Sequence, residues 1–424
     1  MQNTTLLFSL IALFVPGWAQ AQLSVTSVTP RQNEINASLA TTIEATFSGD
    51  LDPATLTAET WQVRGSLTGL YAGSLSYVAA TRTARFIPAT VFKEGEVITV
   101  TLTAGLRDSN GSPLSPAFQW SFTVAVEFGT GIFNQSIEIP LRETERDPEA
   151  ICTGDFNNDA FPDLAVVNSA SNSVSIYLNQ FGSPGGSFAL QGSVAVGNGP
   201  NSVAAADLDR DGLLDLAVTN FDENSISVLK NTGSGGFVLS QTVATAHHPV
   251  QVEAADLDSD GDVDLAVIIL GINQLQIFLN QGNSTFLLTP EIYNTRATPL
   301  GLASGDLDND GDIDLAVSNS GDNTILVFRN DGQARFANSG EIPVPDFPTV
   351  VKIADVVGRD PGEHGDGFLD LVLLHPDLGQ VTVLENRSRD GSFVVVDSQP
   401  VGVLPSGFVV ADVDTADAGA ASAG

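Results

Sequence analysis

From about residue 150 onward, apolar and polar positions alternate with a period of two, in short runs rich in β-branched residues. Such alternation predicts half-buried β-strands, and no sustained 3.6-residue period competes with it. The runs recur in a fixed order. A strand ending in a small residue (Gly154, Ala206, Ala255, Gly305, Ala354, Ala411) leads into an acidic loop. A second strand begins Leu-Ala-Val in four copies and Leu371-Val372-Leu373 in the fifth. A third closes on Asn179, Asn231, Asn280, Asn330 or Asn386, and a Gly turn then opens a fourth at Phe188, Phe237, Phe286, Phe336 or Phe393. Each unit therefore predicts four strands. A large apolar residue stands four positions before each acidic loop, from Ile151 to Phe408. The small residue just before the loop fits an inner strand crowded near a propeller axis.

Residues 22–126 carry a different texture. Thr42–Phe47, Thr83–Ile87 and Val97–Leu102 alternate, separated by turn signals at Ser48-Gly49-Asp50, Lys93-Glu94-Gly95 and Asp108-Ser109-Asn110-Gly111. Short strands at this spacing predict a β-sandwich.

The acidic loop carries the chemistry. Its best copies read Asp207-Leu-Asp209-Arg-Asp211-Gly-Leu213-Leu-Asp215, Asp256-Leu-Asp258-Ser-Asp260-Gly-Asp262-Val-Asp264 and Asp306-Leu-Asp308-Asn-Asp310-Gly-Asp312-Ile-Asp314. A weaker copy has Asp155, Asn157, Asp159, Phe161 and Asp163, with Ala160 where the others carry Gly. An interrupted copy keeps Asp355, Asp366, Gly367, Phe368 and Asp370, and Asp412 and Asp414 start a sixth. The steps between first aspartates are 52, 49, 50, 49 and 57 residues, the period of four-stranded propeller blades. The closing Asn lies 24 residues after the first Asp in four units and 31 after it in the fifth, which places a seven-residue insertion inside the fifth loop. Both ends of the repeat region read as incomplete: Gly131–Ile137 is a fourth strand without its blade, and the sixth unit stops early, as a truncated gene end would.

Carboxylates at positions 1, 3, 5 and 9, with a carbonyl offered at 7 (Phe161, Leu213, Asp262, Asp312, Phe368), suit a hard cation. Calcium takes six to eight oxygens in flexible geometry, whereas magnesium demands a stricter octahedron. Zinc wants His or Cys, absent from all but the interrupted loop. Without an ion, carboxylates this close repel and raise one another's pKa. In the fifth loop Asp360, Glu363 and His364 stand as alternatives for position 3. One calcium per loop is expected. At extracellular affinities each would add roughly 0.4 to 1.4 kcal/mol in millimolar calcium.

Bulk properties sharpen the picture. Lys plus Arg is 17 against 51 Asp plus Glu, a net charge of −34, which disfavours nucleic acid and anionic membranes as partners. Of the 51 acids, 20 sit at the motif positions of the five loops, so part of the acidity is ligand inventory. Leu6–Val15 is apolar but too short to span a bilayer, and Ala19-Gln20-Ala21 follows as a cleavage site, predicting a signal peptide over 1–21 and a secreted or cell-surface chain. No basic residue precedes that run. The lone Cys152 predicts no internal disulfide and reads as an unreactive, packed or half-exposed thiol. His247-His248, before Pro249, reads as a solvated turn.

Two family resemblances follow from these residues. Val28-Thr29-Pro30, Leu51–Leu56, Phe86-x-Pro88, Leu102–Asp108 and Trp120–Val124 resemble the bacterial Ig-like domains of S-layer and other surface proteins. That resemblance implies a spacer with no active site. The repeated Asp-x-Asp-x-Asp-Gly-x-x-Asp loop followed by Leu-Ala-Val resembles the FG-GAP or VCBS repeats of integrin α-subunit propellers and secreted bacterial proteins. The implied protein is all-β: signal peptide 1–21, Ig-like sandwich 22–126, and a calcium-loaded β-propeller 127–424, incomplete at its C-terminus. The function expected is non-enzymatic adhesion, ligand binding or scaffolding, with an extracellular protein or glycan as partner. The alternative is a polysaccharide-active propeller enzyme or its accessory module.

Overall fold

Strand-forming residues in the first hundred or so positions and in the repeats build two β-structures in a computed structural model that describes residues 22–126, 139, 142, 145–180, 187–357, 366–387 and 392–410. The segment 1–21 expected to be a signal peptide, Gly131–Ile137, the fifth-loop alternatives Asp360, Glu363 and His364, and the sixth-unit Asp412 and Asp414 lie outside the described residues. Among the described residues there is no α-helix, and no helix is long and apolar enough to cross a membrane.

The N-terminal part is a sandwich. Its strands are β1 Val25–Thr29, β2 Glu34–Ala37, β3 Ile43–Phe47, β4 Trp61–Gly65, β5 Gly69–Leu70, β6 Gly73–Val78, β7 Thr83–Pro88, β8 Val97–Leu102 and β9 Phe118–Val124. One sheet runs β1-β3-β7-β6 and the other β2-β9-β8-β4-β5. Between them lie Ile43, Ala45, Phe47, Trp61, Ile98, Val100, Trp120 and Phe122, all buried, with the two indoles edge to face at 6.3 Å. Alternation in β3 puts every second residue inside, as the sequence pattern requires.

Five four-stranded units follow, each a simple antiparallel meander. Their first strands are Pro148–Gly154, Pro200–Ala206, Pro249–Ala255, Pro299–Gly305 and Val350–Ala354. Each acidic loop joins the first strand to a second that begins with the ninth-position Asp, at Asp163, Asp215, Asp264, Asp314 or Asp370. Third strands end on the expected Asn residues. In the third unit the fourth strand is split into Phe286–Leu288 and Tyr293–Asn294, both paired to Gln274–Asn280. These units are propeller blades. Apolar clusters join blades one and two, two and three, three and four, and four and five. Among the described residues none joins the fifth to the first.

The large apolar residue four before each loop packs on the preceding blade: Val252, Leu302 and Val351 are buried there. Ile151 has no preceding blade among the described residues and is 59% exposed. The small residue before the loop answers to the next blade rather than to the axis. A Cβ on Gly154 would stand 2.7 Å from Leu214 Cδ1, and one on Gly305 would stand 2.9 Å from Ile353 Cγ2. Cys152 is half-buried beside the cluster of blades one and two, and burial pushes its thiol up to about 12.

The closing Asn staples neighbours together. Its side-chain amide donates to its own blade and to position 2 of the preceding loop: Asn231 to Phe156 O at 3.0 Å, Asn280 to Leu208 O at 2.8 Å, Asn330 to Leu257 O at 2.7 Å and Asn386 to Leu307 O at 2.7 Å. Among the described residues, the side chain of Asn179, in the first blade, donates to Pro162 O of its own blade alone. Removing a buried donor that serves two carbonyls costs about 2–3 kcal/mol. Asn280→Ala is therefore expected to lower the urea midpoint clearly, whereas Asn179→Ala, at a half-exposed site, shifts it by less than half as much. Equal shifts would deny the staple between blades.

Candidate metal centres

Each loop is folded by its own carboxylates. The first Asp accepts from the backbone N–H of position 6 in all five: Ala160 to Asp155 at 2.9 Å, Gly212 to Asp207 at 3.1 Å, Gly261 to Asp256 at 3.0 Å, Gly311 to Asp306 at 2.9 Å and Gly367 to Asp355 at 2.8 Å. The fifth-position Asp accepts from position 7, at Phe161, Leu213, Asp262, Asp312 and Phe368. Position 6 has positive φ in all five loops, and its four glycines run from +84° at Gly212 to +96° at Gly311, so glycine is favoured there. Ala160 holds the same conformation at +77° and carries the strain of a Cβ.

The ninth-position Asp does more than close the loop. One oxygen accepts from position 2 of the loop and the other from the blade's closing Asn: Asp264 takes Leu257 N at 2.9 Å and Asn280 N at 2.8 Å. Asp163, Asp215 and Asp314 repeat this pattern. Asp370 preserves it across the insertion, accepting from Val356, Val357 and Asn386. The interrupted fifth loop therefore re-forms the frame of the intact ones, as the residue spacing predicted.

Three loops bring three carboxylates together, with ligand oxygens all within 4.8 Å: Asp207, Asp209 and Asp215; Asp256, Asp258 and Asp260; Asp306, Asp308 and Asp314. Among the described residues the first and fifth loops form no such group. Asn157 replaces one acid in the first, and the fifth has its position-3 alternatives outside the described residues. Two buried oxygens in these groups, Asp256 Oδ1 and Asp308 Oδ1, receive no hydrogen bond. Burial, reinforced by neighbouring carboxylates, pushes Asp215, Asp256, Asp306 and Asp312 up to about 7, and Asp314 to about 8. Asp163, Asp258 and Asp370 rise to about 6 for the same reasons. Unpaired buried oxygens in an all-oxygen set are what a hard cation would satisfy. The residues fit calcium.

Protein cations partly offset this charge. Lys230 pairs with Asp209 and Asp211, Arg329 with Asp308, and Arg210 with Asp262. Lys230 and Arg329 occupy one register position, just before the closing Asn; blade three has Leu279 there. That register was readable in the sequence but was not connected to the loops.

The sandwich also reaches the loops, against the expectation of a spacer. The outer-facing positions of β4, β8 and β9 are polar yet buried: Gln62, Arg64, Thr101 and Gln119. They lie against the loop face of the propeller, where Asp155 N donates to Leu67 O at 2.9 Å and Gln119 N to Gly311 O at 3.2 Å. Polar alternation in these strands reads as a solvent face, and nothing local in the sequence distinguishes it from a docking face. His247 and His248 are exposed at the other end of the blades, with Phe221 stacked on His248 at 4.4 Å.

Residues 19–124 match the bacterial Ig-like domain, and residues 155–218, 207–267, 267–317 and 306–358 match the FG-GAP-like repeat. No curated protein matches the sequence. Similar solved structures include a Bacteroides uniformis protein proposed to be a 6-phosphogluconolactonase (16% identity, TM-score 0.48, covering 82% of this chain and 98% of that one). A Lactobacillus plantarum protein (13%, TM-score 0.45, 81% and 97%) and virginiamycin B lyase from Staphylococcus aureus (12%, TM-score 0.40, 82% and 90%) are also similar. At these scores they bear on neither activity nor ligand.

Proposed function

We propose that this chain, a bacterial Ig-like domain followed by FG-GAP-like repeats, is a secreted or cell-surface, calcium-stabilised propeller that acts without catalysis as a binding or scaffold module. The observation that carries this reading is the third loop, where Asp256, Asp258 and Asp260 converge and the buried Asp256 Oδ1 has no donor. A bound ion would complete the loop and hold its carboxylates ionised, which takes them out of acid–base chemistry. The high acid content, with 20 of 51 acids at the loops' motif positions, supports the same use. The loop face is covered by the Ig-like domain. The opposite ends of the blades, with exposed His247 and His248, are left for an extracellular protein or glycan.

Asp258→Ala tests the reading. Removing one of several crowded carboxylates relieves repulsion in the ion-free protein and removes a ligand from the loaded one. The thermal midpoint is expected to fall in millimolar calcium and to stay level or rise in chelator. Equal losses in both would deny Asp258 a metal role.

A further inference from the structure

Four of the five loops receive a side-chain group from the Ig-like domain at their first carboxylate, and these groups differ in charge. Lys93 Nζ lies 2.5 Å from Asp155 Oδ2 in the first loop. Arg64 Nη1 stands 3.9 Å from Asp207 Oδ2 in the second and donates to Asp207 O at 3.3 Å. Its Nη2 bridges Gln62 Oε1 and Gly261 O, which fixes the guanidinium between loops two and three. The third and fourth loops receive neutral donors instead. Thr101 Oγ1 donates to Asp256 Oδ2 at 3.1 Å, and Gln32 Nε2 to Asp306 Oδ2 at 2.8 Å. Gln119 Nε2 donates to Thr101 Oγ1 at 2.8 Å, which commits the single hydroxyl proton of Thr101 to Asp256. At the fifth loop Asn33 donates to a backbone carbonyl, Gly367 O, at 3.2 Å.

The contacts at loops two and three are buried, with Arg64 9% exposed and Thr101 and Gln119 each 1%, so solvent screens that guanidinium poorly; Lys93 and Gln32 are half-buried. A lysine or arginine already on a first-position carboxylate neutralises the charge that would draw an ion and repels the ion itself. A neutral donor on one oxygen of the carboxylate orients the group and leaves its other oxygen to the loop, as second-shell partners do around bound metals.

We propose that the Ig-like domain sets the ion occupancy of the propeller: loops three and four, capped by Thr101 and Gln32, hold calcium tightly, while Lys93 and Arg64 keep loops one and two weak. This rests on the calcium reading above. Loops three and four each also hold one propeller arginine, Arg210 on Asp262 and Arg329 on Asp308, so the two rank together. Loop two is weakened twice, by Arg64 and by Lys230.

The test is the number of calcium ions bound per full-length chain, measured by equilibrium dialysis across a range of free calcium. The wild type is expected to fill two sites at roughly tenfold lower calcium than the rest, the lower end of what a unit charge within about 4–6 Å does to a carboxylate equilibrium. Lys93→Gln is expected to tighten one weak site by about tenfold, and a second change, Asp159→Asn, to abolish that gain and so assign it to loop one. Arg64→Gln should give a smaller gain, since Lys230 remains. Thr101→Val should weaken one tight site. Arg64 is deeply placed and its variant risks misfolding; Lys93, at the interface edge, tests the same proposal independently. Wild-type sites of equal affinity, or an unchanged affinity in Lys93→Gln, would overturn the proposal and leave calcium binding intact. A wild type that binds no calcium would overturn both.

Discussion

Asp264→Ala is expected to lose about 3–5 kcal/mol of stability, with or without calcium. The side chain is 1% exposed and accepts two backbone N–H bonds, from Leu257 and Asn280. Alanine would leave both donors unpaired in the core, each costing about 1–3 kcal/mol, and would open a small cavity. It would also disturb the turn that aims Asn280 at the preceding blade. Its dependence on calcium separates this position from Asp258. Asp264 is not among the three converging carboxylates of its loop, so most of its loss should persist in chelator. Urea unfolding in both conditions measures the difference. A loss below about 1 kcal/mol would mean that the ninth-position Asp does not brace the blade.

The second large effect is on pH dependence. Asp215, Asp256, Asp306 and Asp312 are pushed up to about 7 and Asp314 to about 8, each first by burial. In the unfolded chain an aspartate titrates near 3.9. Between those values the folded ion-free protein binds more protons than the unfolded one, so stability is lost as pH rises through the interval. The calcium-free protein is therefore expected to be most stable near pH 4–5 and to weaken steadily towards pH 8. Each tenfold displacement of a proton equilibrium is worth about 1.4 kcal/mol, so even one such factor at several loops removes several kcal/mol at neutral pH. Calcium should flatten the profile, because the ion holds the carboxylates ionised. Melting curves at pH 5 and pH 7.5, each with calcium and with chelator, test this. An ion-free midpoint that rises from pH 5 to 7.5 would show the loop carboxylates to be stabilised as anions by the protein itself.

Much of the repeat region was legible because its register is strict. A fixed 24-residue spacing from first Asp to closing Asn placed the loop, the strands and the seven-residue insertion, and the bond of Asp370 to Asn386 confirms the frame across that insertion. The closing Asn was visible as a marker, yet its work lies on the preceding blade, and a contact between units leaves no trace in the spacing within one. The ninth Asp was read as a ligand; that both its oxygens hold backbone N–H groups depends on how strands two and three meet. The docked Ig-like domain was the least legible feature. Gln62, Arg64 and Thr101 alternate with buried apolar residues just as a solvated sheet face would, and only the tertiary structure shows them buried.

The central claim is that the acidic loops are calcium sites that hold the propeller together. Thermal unfolding of the wild-type chain in millimolar calcium, in excess chelator and in millimolar magnesium tests it most directly. Calcium is expected to raise the midpoint by at least about 5 °C over chelator, with magnesium giving only a small part of that rise. Identical midpoints in calcium and chelator would contradict the account and reduce the loops to acidic turns braced by their own backbone.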